Sequence, residues 1–116
     1  MRRFLDDIDD PWLKKYNLLI EQVEAGKTFE GKLTLHHIIP RSVDSSLSKD
    51  KSNHIWLPFA EHMDMHYWLW KYDRKFAPQL WFGCVYGRKH GLWDLPGGEE
   101  EYEQLKRDLR SSRRKK

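Results

Sequence analysis

The sequence predicts an α+β fold that is mostly α: a strand–loop–strand–helix unit with one helix before it and further helices after it. Three observations carry this. Apolar residues recur at helical spacing in stretches bounded by glycine and proline. Two short runs rich in apolar and β-branched residues flank a serine-rich segment, the pattern of two strands joined by a loop. Five of the six histidines fall inside that unit, between positions 36 and 66, so ionisable chemistry is concentrated there.

Taken in order, Asp10-Pro11 reads as a helix N-cap followed by proline at the first helical position. Trp12, Tyr16, Leu19, Ile20 and Val23 share one face of that helix, and Gly26 is its expected stop. Residues 33–39 (LTLHHII) read as a short strand ended by Pro40. Residues 41–52, with Ser42, Ser45, Ser46, Ser48 and Ser52, read as a loop, and residues 53–57 as the return strand. Pro58 opens a helix to about Tyr72, with Met63, Tyr67 and Trp70 as its apolar stripe. Pro78 starts another through Tyr86, lined by Leu80, Trp81, Cys84 and Val85. Gly87, Gly91, Pro96, Gly97 and Gly98 then break the chain, and Trp93 is expected to tuck this stretch onto the core. A last helix begins at Glu99, acids first and bases last, as the helix dipole favours. Tyr102, Leu105 and Leu109 give it only a narrow apolar stripe, suited to weak docking or to folding against a partner.

A chain of 116 residues suits one modest domain, expected over residues 1–105, followed by a basic C-terminal tail at 106–116. The net charge of +3 misleads until it is located. The tail carries seven basic residues against one acid, which leaves the rest of the chain with 14 basic against 17 acidic residues. A cationic tail on an acidic body fits nucleic-acid contact or a solvated end. No apolar run approaches the ~20 residues needed to span a bilayer, so no membrane partner is expected. The start turns acidic at Asp6-Asp7, where a secretion signal would turn apolar. Cys84 is the only cysteine, which excludes an intrachain disulfide and a cysteine-rich zinc module. Together these lead to the expectation of an intracellular, non-secreted protein.

Histidine is both a neutral-pH metal ligand and a proton carrier. His62 and His66 stand four apart in an expected helix, on one face and one turn apart, a spacing that lets two imidazoles reach one ion. Two ligands do not make a site, and His36 and His37 offer the rest. Adjacent strand residues point to opposite sides. One of the pair can therefore complete a three-histidine set while the other stays free to handle a proton. Asn53, at the head of the second strand, has an amide able to fix a loop through both its donors and its acceptor. His54 reads as a surface or structural residue, and Asp64 is expected to face away from the helix histidines.

The run His36-His37-Ile38-Ile39-Pro40-Arg41-Ser42, then Asn53, then Glu61-His62 and His66, resembles the HNH nuclease family. The spacing of Asn53, His62 and His66 is similar to that of colicin-type DNases. The HHIIPRS stretch with the following EH-x3-H is similar to small HNH proteins of phages, homing-type enzymes included. The resemblance covers about residues 33–72 and, weakly, the first helix; one departure is the hydroxyl-rich loop at 42–52, where many relatives carry glycines. It implies a ββα-metal site in which His36, His62 and His66 ligate one divalent ion, His37 is the general base, and Asn53 holds the hairpin and orients that base. Arg41 would steady a neighbouring phosphate, with Lys71 and Arg74 as weaker candidates. The ion is expected among Zn, Ni, Mn and Mg, three imidazoles suiting Zn, Ni, Co or Mn better than Mg, which prefers oxygen ligands.

The same resemblance implies a DNA endonuclease, nicking or cutting both strands, in a bacterial or phage-infected cytoplasm. A homodimer or a complex with phage proteins is compatible with it. Two other readings compete. In one, the histidines hold a structural metal in a nucleic-acid-binding module, which needs a fourth ligand that only His54, His90, Cys84 or a carboxylate could supply. In the other, the chain is a phage accessory protein without independent cleavage.

Overall fold

The computed structural model describes the backbone of residues 1–114 and the side chains through Ser111. Of the expected basic tail, the side chains of Arg113 and Arg114 and all of Lys115 and Lys116 lie outside the described residues. Helices dominate, and a small two-stranded antiparallel sheet accounts for the strands. The chain forms two compact units, residues 1–62 and residue 63 onward, and the division falls inside a single helix.

The first unit opens with an extended segment and helix α1, Pro11–Glu24. Asp10 caps it by accepting from the Trp12 and Leu13 amides, with Pro11 in the first turn. Its buried residues are Leu13, Tyr16, Asn17, Leu19 and Ile20. The face is thus turned slightly from the expected one: Leu13 and Asn17 lie on it, while Trp12 and Val23 are only half-buried. Asn17 explains the turn. Its side chain accepts from the Phe4 amide and donates to the Phe4 and Leu13 carbonyls, tying the N-terminal segment across the helix. Gly26, just beyond the end, has φ 110, a conformation that only glycine adopts without strain.

Strands β1, Thr34–His37, and β2, His54–Leu57, pair with Thr34 opposite Leu57, Leu35 opposite Trp56, His36 opposite Ile55 and His37 opposite His54. Alternation then sorts the side chains. Ile55, Leu57 and His36 are buried on the face they share with Thr34, and the other face carries Leu35, His37, His54 and the exposed Trp56. The loop between the strands holds two short 3₁₀ turns, Ser45–Leu47 and Lys51–Asn53, capped by the side chains of Asp44 and Asp50. Hydrogen bonds from the Ser52 hydroxyl and amide, with a further one from Arg2, hold the pKa of the Asp50 carboxyl at about 2, well below its usual range.

Helix α2, Phe59–Tyr72, begins directly after Pro58, as expected. Its portion in the second unit buries Met63, Met65, Tyr67, Leu69 and Trp70. Helix α3, Ala77–His90, starts where Pro78 predicts but runs past Tyr86. Gly87 does not break it; that glycine is buried within the helix. The stop is Gly91, at φ 66, whose amide returns to the Gly87 and Arg88 carbonyls. Val85, expected inside, is exposed, because the buried stripe follows Ala77, Leu80, Cys84 and Gly87 instead. A Cβ at Gly83 would overlap the Met63 thioether, which would have to shift to admit it.

Helix α4, Gly98–Arg114, contains most of the segment expected as a tail. Its docking is firmer than a narrow stripe suggests. Leu105 and Leu109 are buried beside a buried acid, Asp108, which accepts from the Trp70 indole at 2.7 Å and from Gln104 at 2.8 Å. Tyr102 stacks near Trp81 and lies under the Arg88 guanidinium. Trp93 does tuck its loop inward: its indole donates to Asp64 at 2.9 Å, which gives that acid a structural task. No helix among the described residues is long and apolar enough to cross a membrane.

Asp108 therefore anchors α4, and Asp108→Ala leaves a buried indole N–H without its acceptor. The expected cost is about 1.5–3 kcal/mol in denaturant unfolding. Truncating the exposed Glu103 on the same helix should change stability by less than about 0.5 kcal/mol.

Candidate metal centre

Two elements carry the histidine group. β1 supplies His36 from the buried face of the sheet, where only 1% of it is exposed. α2 supplies His62 in its first turn and His66 one turn later, on the same side of the helix. The His36 and His62 rings meet edge to face with centroids 5.0 Å apart. One nitrogen from each of His36, His62 and His66 lies within 4.8 Å of the others, close enough to hold one metal ion. Among the described residues, these three form the group that meets this test. Cys84 is buried, with its thiol pushed up to about 12 mainly by that burial, and His90 stacks on Tyr86 at the exposed end of α3.

Two hydroxyls reach the imidazoles. Tyr16 of α1 is fully buried, and its hydroxyl stands 2.7 Å from His36 Nε2 and 2.6 Å from the Ile38 carbonyl. Thr34 Oγ1 stands 2.8 Å from His62 Nδ1 and 2.8 Å from the Leu57 carbonyl. Desolvation drives the Tyr16 phenol well above its ordinary pKa. Burial, with a smaller electrostatic contribution from the nearby His37, brings His62 down to about 4. A neutral imidazole is the form that binds a metal.

His37 occupies the opposite face of the strand, as alternation requires. Its Nε2 lies 3.0 Å from the Ser48 carbonyl, and His54 Nε2 lies 2.8 Å from the same oxygen. A carbonyl can only accept, so both histidines present an N–H to it. The two rings are 5.3 Å apart. His54, expected to be a surface or structural residue, is half-buried beside His37; cross-strand register was the signal that could have named this neighbour.

Asn53 is fully buried. Its Oδ1 accepts from the Ile39 amide at 2.7 Å, and its Nδ2 donates to the Ile39 carbonyl at 3.0 Å and the Leu47 carbonyl at 3.4 Å. The Asn53 backbone carbonyl also accepts from Ile38. The side chain so closes the loop that presents Ser48. Arg41 is exposed just beyond Pro40. Arg74 is also exposed, and Lys71 pairs with Glu101 at 3.0 Å.

No protein-family model matches the chain, and neither the curated proteins nor the solved structures yield a match.

A depressed His62 pKa makes stability depend on pH in one direction. Below about 6.5 the unfolded chain takes up a proton that the folded site refuses until about 4. Metal-free protein should lose about 1.4 kcal/mol per pH unit from this group as pH falls through that window. Denaturant unfolding of wild type and His62→Gln across the window should show the steeper loss in wild type; parallel curves would remove His62 as its source. Asn53→Ala, which removes the partner of the part-buried Ile39 amide and carbonyl, should cost about 1–3 kcal/mol in denaturant unfolding.

Proposed function

We propose that the chain is a metal-dependent endonuclease of the HNH type, its β1–β2–α2 segment serving as a ββα-metal unit that hydrolyses DNA phosphodiester bonds. The observation that carries this reading is the division of labour between adjacent histidines. His36 joins His62 and His66 in one metal-capable group, while His37 lies on the other face of the strand with a backbone carbonyl on its Nε2. The HHIIPRS…N…EH-x3-H spacing supports the same reading from the sequence.

The donor set fits a divalent ion. Three neutral imidazoles suit Zn, Ni, Co or Mn, and a three-ligand set leaves coordination positions for substrate. When bound, such an ion supplies Lewis-acid stabilisation of charge at the phosphate and the departing oxygen.

The chain's own residues do the rest. His37, donating through Nε2 to Ser48, keeps the lone pair on Nδ1 and can take a proton from an attacking water. Ser48 orients the ring, and its carbonyl favours the imidazolium that forms. Asn53 holds the loop that places Ser48. Arg41, exposed at the loop's start, is the side chain we assign to a neighbouring phosphate. The family resemblance implies products with 5′-phosphate and 3′-hydroxyl ends.

The test is plasmid cleavage by the purified chain with Zn, Ni, Mn or Mg, with and without chelator. Cleavage that needs metal is expected. His37→Ala should lower the rate by about 10²–10⁴-fold while leaving metal affinity nearly intact. Metal uptake without nicking by wild type would overturn the nuclease reading in favour of a structural metal. Loss of metal with cleavage retained in His37→Ala would reverse the roles of His36 and His37. His66→Ala should weaken metal binding in calorimetry.

A further inference from the structure

Each of the two hydroxyls beside the histidine group faces two partners with a single hydrogen to give. The Tyr16 oxygen is 2.6 Å from the Ile38 carbonyl and 2.7 Å from His36 Nε2. A contact that short between two oxygens needs a hydrogen between them, and a carbonyl has none to offer. The phenol hydrogen therefore goes to Ile38, and the phenol accepts from His36. That requires the hydrogen on Nε2 of His36 and the lone pair on Nδ1. At Thr34 the same count holds. The Leu57 carbonyl takes the hydroxyl hydrogen at 2.8 Å, so Thr34 accepts from His62, whose hydrogen must sit on Nδ1 with its lone pair on Nε2.

We infer that Tyr16 and Thr34 are positioning residues of the metal centre: they lock His36 and His62 into opposite tautomers, so that Nδ1 of one and Nε2 of the other are the nitrogens offered to an ion. This rests on the metal-centre reading above and deepens it. Both devices lie wholly within the first unit, and both use a buried carbonyl as the fixed end. Tyr16 comes from α1, which makes the N-terminal helix part of the site rather than only a core element. Locked in advance, neither imidazole spends free energy choosing a tautomer when a metal arrives, and the donated N–H raises the basicity of the ligating nitrogen.

The experiment has two parts. Long-range ¹H–¹⁵N spectra of the metal-free full chain, at mildly alkaline pH, report which nitrogen of each histidine carries hydrogen. His36 is expected as the Nε2–H form and His62 as the Nδ1–H form; either histidine in the other form, or a mixture, overturns the inference. Calorimetric titration with Zn alone should then show affinity lowered about 10–100-fold in Tyr16→Phe and in Thr34→Val. Thr34→Ser, which keeps the hydroxyl, should stay near wild type. Unchanged affinity in both Phe and Val variants would overturn the positioning role. The spectra do not depend on metal or cleavage. A wild-type chain that shows the two locked tautomers but takes up no Zn would sink the metal-centre reading and the positioning role built on it, and a chain that binds Zn but does not cut would sink only the nuclease reading.

Discussion

A ladder of four residue pairs is too short to stand by itself in water, and the long loop that joins these strands gives it little help. What closes the unit is one buried amide. Asn53 accepts from Ile39 and donates to the Ile39 and Leu47 carbonyls, while its own carbonyl receives the Ile38 amide. Those bonds stitch the two ends of the loop where the strands end and hold the register. Register matters more here than in most hairpins, because a slip by one residue would turn His36 to the outer face and His37 inward. The placement of Ser48 under His37 and His54 follows from the same closure.

Polar groups in the first unit are buried in sets whose hydrogen bonds interlock. Tyr16, Asn17, Thr34, His36 and Asn53 each meet a backbone group or another member of the set. A buried polar atom left without a partner costs about 1–3 kcal/mol, so each of these hydrogen bonds counts. Interlocking also makes the set directional. The carbonyls of Ile38 and Leu57 fix which way two hydroxyls point, and the hydroxyls fix which imidazole nitrogens remain available. Rigidity of this kind suits a site that must hold its ligands in place before an ion is bound.

Much of the fold was legible because its elements announce themselves locally. Asp10-Pro11 and Pro58 mark helix starts, alternation separates His36 from His37, and a four-residue spacing puts His62 and His66 on one side of α2. The remainder depends on tertiary contact. Gly87 looks like a breaker and is instead a buried helical residue, since the αL stop belongs to Gly91. The buried face of α1 turns toward Leu13 and Asn17 because a side-chain amide there satisfies Phe4. The firm seat of α4 comes from Asp108 meeting Trp70, a pair 38 residues apart that no periodicity reveals. The Tyr16 hydroxyl likewise has no sequence signature; only its helix does. His54 is the intermediate case. Pairing residues 33–39 with 53–57 in register puts it opposite His37, so its neighbour was within reach of the sequence, although the shared Ser48 carbonyl was not.

The proposed chemistry turns on one ion held by three imidazoles, with positions left for a substrate. X-ray absorption at the metal edge of the Zn- or Ni-loaded chain measures that coordination directly. The expected spectrum fits three imidazole nitrogens plus at least one light oxygen donor, and His66→Ala lowers the imidazole count by one. A shell closed by a fourth protein ligand, a sulfur from Cys84 in the fit, or fewer than three imidazoles would contradict the account.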